Sequence, residues 1–150
     1  MTKAFFQRAL VGADGTDASQ LAIDVAIALA KRFGSELHCI GVIRPPSPET
    51  EAEGVGFEQL ERDHKAIRDQ VGSCADRARG EGVQAITVEL DGDPESVIEN
   101  YGLENEFDII IVGHHHLNRF RRFLEGSTSD SLVEHSSASV LVVRAPSQES

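Results

Sequence analysis

The chain is short of cysteine, of positive charge and of long apolar runs, and each shortage removes a class of protein. Cys39 and Cys74 are its only cysteines. One falls in a predicted strand and one on the apolar face of a predicted helix, so both are read as buried free thiols, which behave as small apolar residues. Lysine and arginine number 14 against 25 acidic residues, a formal net charge of −11. That balance argues against nucleic acid and against anionic membrane surfaces as partners. The longest apolar stretch, Leu21 to Ala30, is interrupted by Asp24 and cannot span a bilayer. The first residues, MTKAFFQRALVGAD, lack the architecture of a signal peptide. A reducing cytoplasm is the expected setting. Catalytic signatures are missing as well: no Gly-x-x-x-x-Gly-Lys precedes Gly126-Ser127, and no Gly-x-Ser-x-Gly elbow occurs. No catalytic residue is expected, and no internal repeat or low-complexity linker divides the chain.

What is present is an alternation of strands and helices. At 150 residues the chain suits one domain over 1–150, with an ordered core of about 5–145. Arg8 to Ala13 reads as a strand buried on both faces. Asp14-Gly15-Thr16-Asp17 supplies a turn and helix-cap chemistry. The helix that follows places Ala18, Leu21, Ala22, Val25, Ala26, Leu29 and Phe33 on one stripe and stops at Gly34. Glu36 to Ile43 is the second strand. Arg44 to Gly56, with three prolines, reads as a mobile surface loop. A long helix from about Phe57 to Arg79 carries Leu60, His64, Ile67, Val71, Cys74, Ala75 and Ala78. Gln84 to Leu90 alternates as a strand at or near a sheet edge. Asp93-Pro94 opens a short helix that buries Val97, Ile98 and Tyr101. Asp108 to Gly113 is the fourth strand, a further helix follows Gly126, and Ser139 to Arg144 is the fifth strand. This order dictates an α/β fold with a mostly parallel, doubly wound sheet, helices on both faces and right-handed crossovers.

The chemistry concentrates between the fourth and fifth strands. Gly113 ends an apolar strand, Arg119, Arg121 and Arg122 occupy the loop, and Gly126-Ser127-Thr128-Ser129 reads as a helix start. Small residues let the backbone approach an anion, and the first helical N–H groups and the dipole point at it. The spacing resembles the universal stress protein family, whose nucleotide motif is Gly, two residues, Gly, nine residues, then Gly-Ser or Gly-Thr. Gly113, Gly126 and Ser127 fall in register, and His116 stands where the second glycine would be. The resemblance extends over essentially the whole chain, from the Asp14 turn through Gly92-Asp93-Pro94 to Val140-Leu141-Val142-Val143. It implies a five-stranded sheet in the order 3-2-1-4-5. The carboxyl ends of the first and fourth strands then meet at the switch point where such sheets bind ligands.

From that resemblance the expected ligand is ATP, with or without Mg2+, held by Ala13, Asp14, Val42, Gly113, His114, His116, Arg119, Gly126, Ser127, Thr128 and Ser129. Asp14 either forms a turn with Gly15 or accepts hydrogen bonds from the ribose or base. Val42 matches the position that touches adenine through its backbone. His116 either obstructs the phosphates, if the backbone there needs a positive φ, or donates to them. His114-His115-His116 invites a metal, yet no cysteine lies near, and no metal site is expected. The resemblance also implies a homodimer, paired through the fifth strand, Val140 to Val143. The function expected is a stress-response switch that engages an unknown protein partner. The alternatives are an interaction protein that binds no nucleotide and a slow ATPase.

Overall fold

The computed structural model describes residues 5–114 and 138–145. Its elements, in chain order, are β1 (Arg8–Ala13), α1 (Asp17–Phe33), β2 (Glu36–Ile43), α2 (Pro48–Ala52), α3 (Phe57–Gly80), β3 (Ala85–Asp91), α4 (Pro94–Glu104), β4 (Ile109–Gly113) and β5 (Ser139–Val143). The five strands form one parallel sheet in the order β3-β2-β1-β4-β5. The helix expected after Gly126 lies outside the described residues.

Alternation along β1 divides the core. Ala9, Val11 and Ala13 point to the face covered by α1 and α3, whereas Leu10 points to the face covered by α4, beside Ile40, Ile98, Phe107 and Ile110. β1 is buried on both faces because helices cover both, which is why its sequence runs apolar without alternation. β3 stands at one edge, and Ile86 and Leu90 on it are 41% and 38% exposed.

Three local expectations need correction. The stripe of α1 is rotated from the expected one. The helix buries Ala18, Ser19, Ala22, Ile23, Ala26, Ile27 and Ala30, while Leu21, Val25 and Leu29 are half-buried and Phe33 is exposed. Nine of the ten residues from Leu21 to Ala30 are apolar without being confined to one face, so periodicity does not choose the face. Close packing on the sheet chooses the one rich in alanine.

The second correction concerns Arg44 to Gly56, which is not a structureless loop. Ser47 caps α2 in a reciprocal box: its hydroxyl accepts from the Thr50 N–H at 3.3 Å, and the Thr50 hydroxyl accepts from the Ser47 N–H at 2.9 Å. Thr50 is 2% exposed. A threonine in the place usually held by Glu or Gln, behind two prolines, hides this cap from a composition-based reading.

The third concerns the cysteines. Cys39 of β2 and Cys74 of α3 are joined as a disulfide, with Cα atoms 6.7 Å apart, and are not two free thiols. The buried face of β2 and the apolar stripe of α3 meet at that level, a pairing that a sequence separation of 35 residues does not reveal.

Near the amino-terminal ends of the strands, His38 is buried between Tyr101 and Glu36. Its Nδ1 lies 3.0 Å from the Tyr101 hydroxyl and its Nε2 3.3 Å from a Glu36 carboxylate oxygen. The Phe107 ring stands edge-on at 4.9 Å. Burial holds the His38 pKa below its ordinary value. The Glu36 carboxylate opposes this, and Arg8 reinforces it. The folded state therefore resists a proton that the unfolded chain accepts near the ordinary histidine value. Stability from neutral His38 is present above that value and is lost as the pH falls below it. Melting curves from about pH 7.5 to about pH 5.5 should show a loss of stability that is smaller in His38→Gln. Parallel profiles for the two proteins would show that His38 carries none of it.

Candidate functional site

The carboxyl ends of β1 and β2 open on a cavity of about 450 Å³, within the size range of small-molecule sites. The exit of β1 contributes Ala13, Asp14 and Thr16, and the exit of β2 contributes Val42 and Arg44. Val55, Leu60, Asp63, His64 and Ile67 form the wall on the α3 side, and Pro94 and Ile98 of α4 close the remaining side. The lining is mixed, with aliphatic walls beside a few carboxylates and nitrogen donors.

The turn after β1 is built by its own side chains. The Asp14 carboxylate accepts from the Thr16 N–H at 2.9 Å and from the Thr16 hydroxyl. The Thr16 hydroxyl oxygen in turn accepts from the Ser19 N–H at 3.2 Å and caps α1. Asp14 is thus a turn-forming residue and a cavity-lining residue at once. Gly15 takes a φ of +83°, a conformation that suits glycine.

The exit of β2 is fixed by His64. Its Nε2–H donates to the Arg44 carbonyl at 2.9 Å, which in the neutral ring leaves Nδ1 as the acceptor nitrogen. Arg44 also reaches Glu53, the C-cap of α2, at 3.1 Å. With 32% and 53% of these side chains exposed, the ion pair contributes at most about 1 kcal/mol.

Gly113, at the end of β4, has a different neighbour. A Cβ built there would lie 2.7 Å from the Ala18 carbonyl oxygen, so β4 passes in contact with the first turn of α1. Gly113 and His114 do not line the cavity, which extends from β1 toward β2 and α3. His116, Arg119, Gly126, Ser127, Thr128 and Ser129 lie outside the described residues. The structure therefore brings Ala13, Asp14 and Val42 together around one cavity. It adds Arg44, Asp63 and His64, which sequence reading did not select. His64 carried a signal, as the one titratable side chain in an otherwise apolar helical stripe.

A parallel sheet in this order, with a cavity beyond the carboxyl ends of β1 and β2, defines a doubly wound α/β protein with a ligand-sized site on the β2 side of the switch between β1 and β4. The chain belongs to the universal stress protein family, which it matches over residues 5–144. It is 30% identical over 148 residues to universal stress protein YxiE of Bacillus subtilis (strain 168), a match covering 93% of this chain and 99% of that protein. A universal stress protein solved in complex with cAMP shares the fold with a TM-score of 0.64 and 24% identity, over 94% of this chain and 98% of that one. An Arabidopsis thaliana family member solved with AMP bound does so with a TM-score of 0.62 and 16% identity, over 93% and 92%. No helix among the described residues is long and apolar enough to cross a membrane.

Proposed function

We propose that this chain binds an adenine nucleotide, ATP in the first instance, and acts as a stress-response switch. The observation that carries the reading is the convergence of Ala13, Asp14 and Val42, from two adjacent strands, on one cavity of about 450 Å³. Its aliphatic walls, Val42, Leu60, Ile67 and Ile98, suit the faces of a purine, and the Asp14 carboxylate suits ribose hydroxyls. Two proteins of the same fold, solved with cAMP and with AMP, support the class of ligand. The Gly113, Gly126 and Ser127 spacing supports a phosphate end beyond the nucleoside, with Ser129 and Arg119 as further donors. In this reading bound phosphates alter a surface that a protein partner reads, and two copies pair through β5.

The test is to denature freshly purified protein, identify any released nucleotide by mass, and titrate the stripped protein calorimetrically with ATP and Mg2+. Nucleotide release, or binding in the micromolar range that Gly126→Val abolishes, is the expected result. No nucleotide and no binding heat at millimolar ATP would overturn it. His116, in the place of a motif glycine, favours a second reading in that event: an interaction protein that holds no nucleotide. A pull-down whose captured partner is unaffected by added ATP would support that one.

A further inference from the structure

Gln70, on α3, does not line the cavity, yet its amide spans the turn that carries Asp14 into it. Its Oε1 accepts from the Gly15 N–H at 2.8 Å and from the Ser19 hydroxyl. Its Nε2 donates to the Thr16 carbonyl at 3.0 Å. This orientation is imposed, because reversing the amide would set its NH2 against the Gly15 N–H and its oxygen against the Thr16 carbonyl. Ser19, fully buried, relays the contact onward, its oxygen accepting from the Asp14 N–H at 3.2 Å. The turn is also seated directly on the helix, for a Cβ on Gly15 would come within 2.9 Å of the Ala66 Cβ. Three consecutive residues, Asp14, Gly15 and Thr16, are thus held from behind by one side chain, directly or through Ser19.

We propose that Gln70 is the positioning residue of this site: it sets the Asp14 carboxylate for the nucleoside half of the ligand. The inference rests on the nucleotide reading of the cavity. Nothing about Gln70 stands out in the sequence, where it is one polar residue on a mostly polar helix. Only the fold sets it behind the turn that follows β1.

The test is a double-mutant cycle on the stripped full-length protein. Gln70→Leu keeps most of the volume and removes the amide, taking away the acceptor of the Gly15 N–H and one donor to the Thr16 carbonyl, which keeps the Gln20 N–H. Its affinity for adenosine, AMP and ATP should fall by the same factor, about tenfold, because the phosphates bind elsewhere. In an Asp14→Asn background the same change should cost little more, since both substitutions disable one unit. Ser19→Ala, which breaks only the relay, should give a smaller loss in the same direction. Amide exchange supplies a readout without ligand: Gly15 should exchange faster in Gln70→Leu while Val11 does not change.

Wild-type affinity in Gln70→Leu, or losses that multiply in the double variant, would overturn the proposal. A wild-type protein that binds none of the three ligands would remove the nucleotide reading. Gly15 exchange would then decide the positioning role by itself, faster exchange supporting it and unchanged exchange ending it.

Discussion

Gly113→Ala is expected to lower the melting temperature by about 10 °C, on the basis of about 3 kcal/mol lost and roughly 2–4 °C per kcal/mol at this chain length. The added methyl would lie 2.7 Å from the Ala18 carbonyl oxygen, 2.8 Å from its carbon and 3.0 Å from the Ser19 nitrogen. All three are backbone atoms in the first turn of α1, so no side chain can rotate away. The strand cannot retreat easily either, because β4 is paired with β1 on one side and β5 on the other. The remaining route is a shift of α1, and the moving turn carries Ser19, whose oxygen accepts from the Asp14 N–H. Nucleotide affinity should therefore fall together with stability. Differential scanning calorimetry of both proteins decides the matter, and a variant melting within about 2 °C of wild type would show that β4 and α1 are not in close contact.

Gly41→Ala should cost about 2 kcal/mol, a drop of roughly 4–8 °C. Gly41 lies inside β2, between β1 and β3. A methyl there would meet Ile67 Cγ2 at 2.6 Å and Val71 Cγ2 at 2.8 Å. Both neighbours are β-branched residues on a helix, where side-chain rotation is confined largely to one rotamer. The clash is therefore relieved by lifting α3, whose Ile67 also lines the cavity. Shortening the obstacle tests the cause. In Gly41→Ala with Ile67→Ala, the combined cost should be smaller than the sum of the two single costs, because the first methyl then occupies space vacated by the second change. Strictly additive melting shifts would show that the close approach is not what Gly41 provides.

Much of this architecture can be read from residues close together in the chain. The continuous apolar run of β1, the Thr16 cap, the Gly34 stop and the Asp93-Pro94 helix start are local signals, and the structure places elements at each of them. The strand order 3-2-1-4-5 came by family likeness and is the order observed. What escaped reading depends on contacts between distant segments. The face of α1 follows from packing against the sheet, the Cys39–Cys74 pairing from the seating of α3 on β2, and the order of α2 from a cap built with threonine. The site divides in the same way. Ala13, Asp14 and Val42 sit at strand ends that sequence can locate. Arg44, Asp63, His64 and Gln70 act through the placement of α3, which no local pattern specifies.

The strand order has a consequence for how the molecule is made. β1, synthesised first, ends up in the middle of the sheet, and its second neighbour arrives late: Ala9 pairs with Ile109. At translation rates of about 5–20 residues per second, roughly 5–20 s separate the two. During that interval β1, β2 and β3 can pair with one another, while the other flank of β1 offers unpaired backbone groups beside Leu10 and Val11. The centre of the finished sheet is, for those seconds, an open edge on the nascent chain. The newborn protein is then most exposed to mispairing with other chains through its first strand, which in the folded protein is sealed on both sides.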